Sequence, residues 1–407
     1  MLTKRIKIAG MFLLSTLVFT GCKEESSFKK IDFTPTYKFS SEIEDKVAKD
    51  TVPWKYQISA SDYAAKGDYK NALKHWDLAM GARERTYSES EVDSIRKKYK
   101  VVDARQYIVE QAKKTNVVII NEAHHNSSHR YFTKTLLQDL YDQGYRNLGL
   151  EAMDNEKIDS LLSKRKYPIK ETGYYIKDPQ FGDMIRTALE IGYKVFPYEQ
   201  TTGVNGKLRE IEQAKNIQKV IEQRPNEKFL IHCGFAHVLK GEYRGWEKTM
   251  TGRLIEYLDI NPLTIHQTMY SEKSDAKNNH PLMKAMDVKS PSVLLDEENH
   301  PLQYKRGKTW ADIAVLHPKT DYLNGRPSWL FSDKNSLLHS NFKKLKMSFP
   351  IMVLAYKKGE DIHTSVPVDI MEVETKEEIK NLILSEGAYT IVYTNKEGDS
   401  WKQDIKI

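Results

Sequence analysis

Glu122, His124, His125 and His129 fall close together in the stretch VVIINEAHHNSSH, Val117 to His129. Neutral imidazoles and carboxylates are the donor set that suits borderline divalent metals such as zinc, manganese, cobalt or iron. A metal held this way makes hydroxide from water near neutral pH and polarises a carbonyl. Without a metal, a carboxylate and a histidine held together still run general acid–base hydrolysis. Either chemistry needs partners from elsewhere in the chain. Candidates recur at Glu151, Glu199, the run His232-Cys233-Gly234-Phe235-Ala236-His237, and His266.

Hydrophobic periodicity predicts the elements that would position these groups. Val117 to Ile120 is a run of four β-branched residues, too short and too uniformly apolar for an amphipathic helix, and it predicts a strand buried on both faces. Ser127 or Ser128 caps a following helix through Phe132, Leu136, Leu137 and Leu140. From 117 to 269 strands and helices alternate, which argues for crossovers and a parallel sheet. Further strands are expected at Asn147 to Leu150, Tyr193 to Pro197, Lys228 to Ile231 and Leu263 to Ile265. Helices are expected from Pro179, capped by Asp178 and stopped at Gly192, over Leu208 to Ile221, and over Arg253 to Leu258. Each strand would deliver an ionisable side chain at its carboxyl end, where α/β proteins place ligands and chemistry. With 56 acids and 12 histidines spread over 407 residues, five successive strand ends occupied this way exceed chance placement. A single member has simpler roles open to it: Glu151 or Glu199 as a cap or salt-bridge partner, His266 as a core histidine.

The rest of the chain sets the context. Lys4, Arg5 and Lys7 precede an apolar run from Ile8 to Thr20 and then Gly21-Cys22, the layout of a secretory signal too short to span a membrane stably. It resembles a bacterial lipoprotein signal, with Phe19 where leucine is usual. That implies lipidation of Cys22 and a place in the cell envelope, anchored to the outer membrane on its periplasmic face or at the cell surface. The polar residues after Cys22 predict a tether over 23–45. Cys233 is then the only other cysteine, so no intramolecular disulfide is expected. The formal charge of +7 is interleaved with acids throughout and gives no nucleic-acid footprint. Residues 58 to 112 predict helices, with Gly67-Asp68 turning a hairpin that resembles one tetratricopeptide unit. No second copy follows, and a helical cap on the main domain is the expectation. No G-x-S-x-G elbow is present, and Cys233, at a strand end, is expected to be a buried filler rather than a nucleophile.

The order NEAHH, LGLE, PYE, HCGFAH and a helical arginine at 253 resembles the superfamily that joins erythromycin esterase-like proteins, ChaN-like haem-binding lipoproteins, and the TraB and Tiki proteins. The likeness covers about 115 to 270. Gly234-Phe235-Ala236-His237 matches the second G-x-x-H element of that pattern, while in the first, Asn121-Glu122-Ala123-His124, asparagine replaces glycine. The resemblance implies a membrane-anchored, metal-dependent hydrolase of an ester or peptide bond in a small-molecule or peptide substrate. Its implied catalytic residues are Glu122, His124, Glu151, Glu199, His237 and Arg253. His124, Glu151, Glu199 and His237 would be the metal ligands, and Arg253 would hold a carboxylate or an oxyanion. The ChaN-like branch implies the alternative, a haem or iron-complex binding lipoprotein, with His125, His129 and Tyr198 as cofactor-binding residues, although no C-x-x-C-H attachment motif exists. A lipid-anchored scaffold using the helical hairpin is a third class.

After 270 the chain turns polar, and 271 to 308 predicts an insertion or lid near the open end of the sheet. Ile313 to Leu316 predicts a sixth strand ending in His317. Arg326 and Trp329 are candidates for a cleft wall, with packing the other role for the tryptophan. Beyond 340, two apolar runs around Gly359 and the alternation in TIVYT predict β-hairpins. The expected fold is α/β, a mostly parallel sheet flanked by helices, with an N-terminal helical hairpin and a small C-terminal all-β domain. The expected divisions are signal 1–22, tether 23–45, helical hairpin region 46–114, α/β domain 115–335 and β-sandwich-like domain 340–407.

Overall fold

The computed structural model of this chain describes residues 28–331, 335–339, 342 and 345–407. Cys22 and the expected signal lie outside the described residues. The fold is mixed α/β. Its largest sheet has eight strands in the order Lys100–Asp103, Ser292–Leu295, Ile313–Leu316, Leu263–Tyr270, Val117–Glu122, Lys228–Gly234, Tyr145–Leu150 and Lys194–Pro197. The last six run parallel to one another, and Ser292–Leu295 runs antiparallel to the strands on both sides of it.

The four β-branched residues that open the Val117–Glu122 strand explain why it lies near the middle. Val118 and Ile120 face one layer, with Leu136, Leu137 and Leu140 of the Ser127–Asp142 helix and Met184 and Ile185 of the Pro179–Ile191 helix. Val117 and Ile119 face the other, with Ala214 and Ile217 of Lys207–Gln223 and Met250 and Leu254 of Met250–Leu258. Alternation along a strand sends successive side chains to opposite faces, so a continuously apolar strand requires a helical layer on each. The Asp178 cap, Pro179 in the first turn and Gly192 in left-handed conformation bound their helix as expected.

Several boundaries differ from the sequence reading. The helix after the central strand is capped by Asn126, whose side chain accepts from the Ser128 N–H, so Ser127 and Ser128 lie inside it. The Leu263–Tyr270 strand runs well past Ile265, which leaves His266 mid-strand. The 271–308 segment is not a lid. It contributes the Pro281–Met286 helix and the Ser292–Leu295 strand, because the apolar Val293, Leu294 and Leu295 bury themselves at the edge of the main sheet. The tether reading fails from residue 28 onward: Lys29–Lys30 pairs with the last strand, and Phe33, Tyr37 and Phe39 pack beneath Met352, Leu354 and Tyr356. Aromatic residues spaced through a polar stretch are what anchor it.

The hairpin turns at Gly67-Asp68 as expected, between helices Lys55–Ala65 and Tyr69–Met80, with Asp68 capping the second. The C-terminal residues form an antiparallel sheet that includes Ile351–Lys357, Asp369–Val373, Ala388–Asn395 and Ser400–Lys406. Buried ion pairs tie this sheet to the remainder: Lys66 with Glu372, Arg186 with Glu360 at 2.6 Å, and Arg326 with Asp369. Arg326 is therefore a buried structural cation, not a cleft wall, and Trp329 packs between Tyr69 and Tyr131.

Candidate active site

Register brings the strand ends level. Glu122 lies opposite Gly234, and Leu150 lies opposite His232, so Glu151, the next residue, sits over the same rim. The first turns of the helices that follow these strands lie at the same edge and complete the cluster.

Glu122 is buried and gripped by Arg130, with Nε donating to Oε2 at 2.6 Å and Nη2 to Oε1 at 2.7 Å. Arg130 also donates to Asp178 at 2.5 Å and to the His124 carbonyl at 2.9 Å. Burial alone would raise the Glu122 carboxyl, but the Arg130 charge and its hydrogen bonds outweigh it and hold the group well below the usual carboxylate range. An ionised Glu122 only accepts, so the 2.9 Å contact with His124 Nδ1 fixes a proton on that nitrogen, and in the neutral ring the lone pair is at Nε2. The His124 ring is clamped flat on Tyr175 at 3.9 Å and edge-on to Phe235 at 5.0 Å. It opens into a small pocket of about 50 Å³ shared with Asp62, Tyr175 and Asp178, room for a water at roughly 10–15 Å³ each.

A second imidazole is held in the same way. His237 Nδ1 lies 2.8 Å from the buried Glu210 carboxylate, which also accepts from the Met250 N–H at 2.6 Å. Its Nε2 faces Glu151 at 3.4 Å, and the ring stacks on Trp246. Burial disfavours the charged ring, but Glu151 and Glu210 outweigh that and raise its pKa above the ordinary value. Glu151 lies between the two histidines. One oxygen accepts from the Gly234 N–H and the other from Arg209 at 2.7 Å. Burial would raise Glu151, yet His237, His124 and Arg209 together hold it below its ordinary value. Arg209 also forks onto Glu199.

Glu122, His124, Glu151, Glu199 and His237 thus share one edge of the sheet. The other expected residues do not join them. Arg253 pairs with Glu247 at 3.0 Å and with Glu256, because its helix faces the 246–247 turn, and the arginine that reaches the cluster's carboxylates is Arg209. His129 accepts from the Ala123 N–H and contacts Ser271 at 2.6 Å, a satisfied core histidine. The Tyr198 hydroxyl is spent on the His232 carbonyl at 2.8 Å. His125 lies flat against Trp76 at 4.1 Å. His266 is buried against Tyr304, where burial pushes its pKa down to about 3. Burial raises the Cys233 thiol far up, which fits a filler and not a nucleophile.

The sequence reading missed Arg130, Arg209 and Glu210. Each occupies the first turn of a helix that follows a strand of the cluster, and such a turn must lie at that strand's carboxyl end. The asparagine that departs from the glycine pattern also has a role. Asn121 is buried, its amide donates to the Phe235 carbonyl at 2.6 Å, and its oxygen accepts from the Gln267 N–H at 2.7 Å. It clips the turn that carries His237, where Phe235 adopts a left-handed φ of 41°.

The four expected metal ligands do not form a coordination set. Arg209 sits among Glu151, Glu199 and His237, a fixed cation where a divalent ion would need to be. Among the described residues no group of three or more His, Cys, Asp or Glu is gathered to hold a metal.

No protein-family model matches the sequence, and no curated protein matches it. Three solved structures are similar in part. The type III effector HopBA1 is 12% identical, covering 49% of this chain and 95% of its own, with a TM-score of 0.30. RRSP, a MARTX toxin effector domain from Vibrio vulnificus CMCP6, is 17% identical over 51% of this chain and 45% of its own, with a TM-score of 0.28. A structure described as bacterial protein toxins is 15% identical over 52% and 47%, with a TM-score of 0.33. No residue role is carried across from any of them.

Proposed function

We propose that this chain is a hydrolase of ester or peptide bonds that works by general acid–base catalysis with two carboxylate-held histidines. The observation that carries the reading is the paired arrangement: Glu122 on His124 Nδ1 and Glu210 on His237 Nδ1, with Glu151 and Arg209 between. Each carboxylate fixes its ring's tautomer and orientation, as a general base or acid requires. In this reading His124 Nε2 takes a proton from water, and the water oxygen bonds to the carbonyl carbon. Arg209 meets the developing oxyanion. Protonated His237 then gives its proton to the leaving oxygen or nitrogen as the carbon–heteroatom bond breaks. Glu151 holds His237 in its charged form and aligns Arg209.

This differs from the metal-dependent reading, since Arg209 supplies the positive charge that a metal would bring. The haem alternative gains no support from the places of His125, His129 and Tyr198. Anchoring through a lipid on Cys22 and a cell-envelope location belong to the proposal. Among the described residues no helix is long and apolar enough to cross a membrane.

The test is turnover of a panel of chromogenic esters and quenched fluorescent peptides by the full chain, with and without EDTA. Turnover is expected to survive the chelator and to fall roughly 10²–10⁴-fold in His124→Ala and in His237→Ala. Loss of activity in EDTA with recovery on added zinc, or full activity in both variants, overturns the mechanism.

A further inference from the structure

A second cavity, of about 760 Å³, opens beside the cluster, and Phe235 and Ala236, the two residues before His237, form part of its wall. That volume is in the range of small-molecule sites. Phe235 links the cavity to the cluster: its ring lines the cavity and meets the His124 ring edge-on at 5.0 Å.

The charge of this cavity departs from the rest of the chain. Arg83, Arg85, Lys273 and Arg306 line it, with no aspartate or glutamate among its lining residues, although the chain as a whole carries 63 basic and 56 acidic residues. Lys273 is drawn towards Asp77 at 3.3 Å. Arg83, Arg85 and Arg306 are exposed, and none has a carboxylate partner among the described residues. Elsewhere the exposed cations are commonly paired, as Lys308 with Glu242 and Lys207 with Glu247 are. Below this rim, His266 and Tyr304 lie ring on ring at 3.9 Å and 4°. His266 is 5% exposed, and its Nδ1 finds no hydrogen-bond partner among the described residues. An unsatisfied buried ring nitrogen costs free energy that a bound hydrogen-bonding partner recovers.

We propose that this cavity holds the anionic end of the substrate cleaved at the His124–His237 cluster, a small molecule carrying at least two carboxylate or phosphate charges. The proposal rests on the hydrolase reading for the fate of that ligand, but not for its binding. Three guanidiniums with no carboxylate partner among the described residues, Arg306 hydrogen-bonded only to the Tyr304 hydroxyl, line an open cavity and favour planar, bidentate recognition of such groups. The flat His266–Tyr304 pair gives the uncharged part a surface to lie on.

The experiment uses the full chain in detergent at 150 mM salt, with pyrophosphate and citrate as probes and triethyl citrate as the uncharged control, read by calorimetry. At least one anion is expected to bind saturably to both the unaltered protein and His124→Ala, and triethyl citrate is expected not to bind. The triple change Arg83→Glu, Arg85→Glu, Arg306→Glu, all at exposed positions, is expected to weaken binding at least about ten-fold, ~1.4 kcal/mol. In turnover it is expected to raise KM for an anionic ester by a similar factor, with kcat held and neutral esters unaffected. Absence of saturable binding, or equal affinity in the triple variant, an adventitious ion only, overturns the proposal. Charge-dependent binding with no turnover of any ester or peptide refutes the hydrolase reading and leaves the anion site standing.

Discussion

Gly234→Ala would separate the geometry of the cluster from the stability of the fold. Gly234 has φ −83° and ψ 145°, an ordinary extended conformation, so it is not there for backbone freedom. What it lacks is a side chain. A Cβ at this position would stand 2.6 Å from His124 Nε2 and 2.5 Å from Cε1, where ordinary contact begins at 3.4 Å. To bring Cε1 from 2.5 to 3.4 Å the ring would have to retreat by about 0.9 Å. Its far face is stacked on Tyr175 at 3.9 Å and its Nδ1 is bound to Glu122, so a retreat breaks one contact or the other. A misplacement on the order of 1 Å in a catalytic group costs about 10²-fold in rate, close to 2.7 kcal/mol of transition-state stabilisation. Overpacking adds about 1–3 kcal/mol of destabilisation. Gly149→Ala is the control, because its Cβ would meet Phe196 and Ile231 at 2.7 and 2.8 Å in the core, away from the imidazoles. Both variants should melt earlier in thermal denaturation, but only Gly234→Ala should lose turnover out of proportion. Unchanged kcat/KM in Gly234→Ala, with His124 still bound to Glu122 in a crystal structure, would refute the reasoning.

Arg209→Met removes a cation that holds both Glu151 and His237 down. The alkaline limb of the pH–rate profile, set by the acid His237, should therefore move to higher pH, and an unmoved limb excludes Arg209 from the charge balance. In the folded protein Glu151 lies below 4.5 and His237 above 6.5. Glu151 thus stabilises the fold above pH 4.5, an effect lost as pH falls through its lowered pKa. His237 stabilises it below pH 6.5, an effect lost as pH rises through its raised pKa. His237→Gln should flatten the alkaline side of a Tm–pH curve, and an unchanged slope there counts against the raised pKa. Asn121→Ala leaves the Phe235 carbonyl and the Gln267 N–H without their buried partner, so it should cost on the order of 2 kcal/mol in denaturant unfolding. If it proves neutral, the clip on the turn is not structural. Cys22→Ala should shift the chain from the membrane fraction to the soluble one and abolish incorporation of labelled fatty acid. Persistence of both signals rules out lipid anchoring at Cys22.

Much of the α/β core was legible because the signal was local. A run such as Val117 to Ile120 admits one burial state, and Asp178-Pro179 followed by Gly192 marks both ends of a helix within the sequence itself. Strand ends were legible where a polar group follows the last apolar residue, as at Glu151. The same rule failed at Leu263–Tyr270, where Gln267 stays in the strand because Asn121 receives its N–H and the carbonyl of Asn121 accepts from its amide. No local pattern shows that a polar residue has a buried partner on a neighbouring strand. Arg253 was chosen for its place after HCGFAH, yet the direction of its side chain depends on how its helix rolls against the Glu247 turn. Arg209, farther from the motif, reaches the carboxylates from a helix start. Segment 271–308 looked like an insertion because its polar composition masked the Val293-Leu294-Leu295 run that completes the sheet edge.

Trp76, on the second helix of the hairpin, lies between the rings of His125 and Phe235, nearly parallel to both. The support behind the turn that carries His237 is thus lent by a segment folded well upstream of the sheet. The hairpin cannot be traded between proteins like a detachable tag: a chain trimmed to begin near residue 115 would expose the Phe235 ring and loosen the turn bearing His237. Under the proposed hydrolase reading, selection on turnover would then reach back to Trp76, a residue outside the Glu/His cluster.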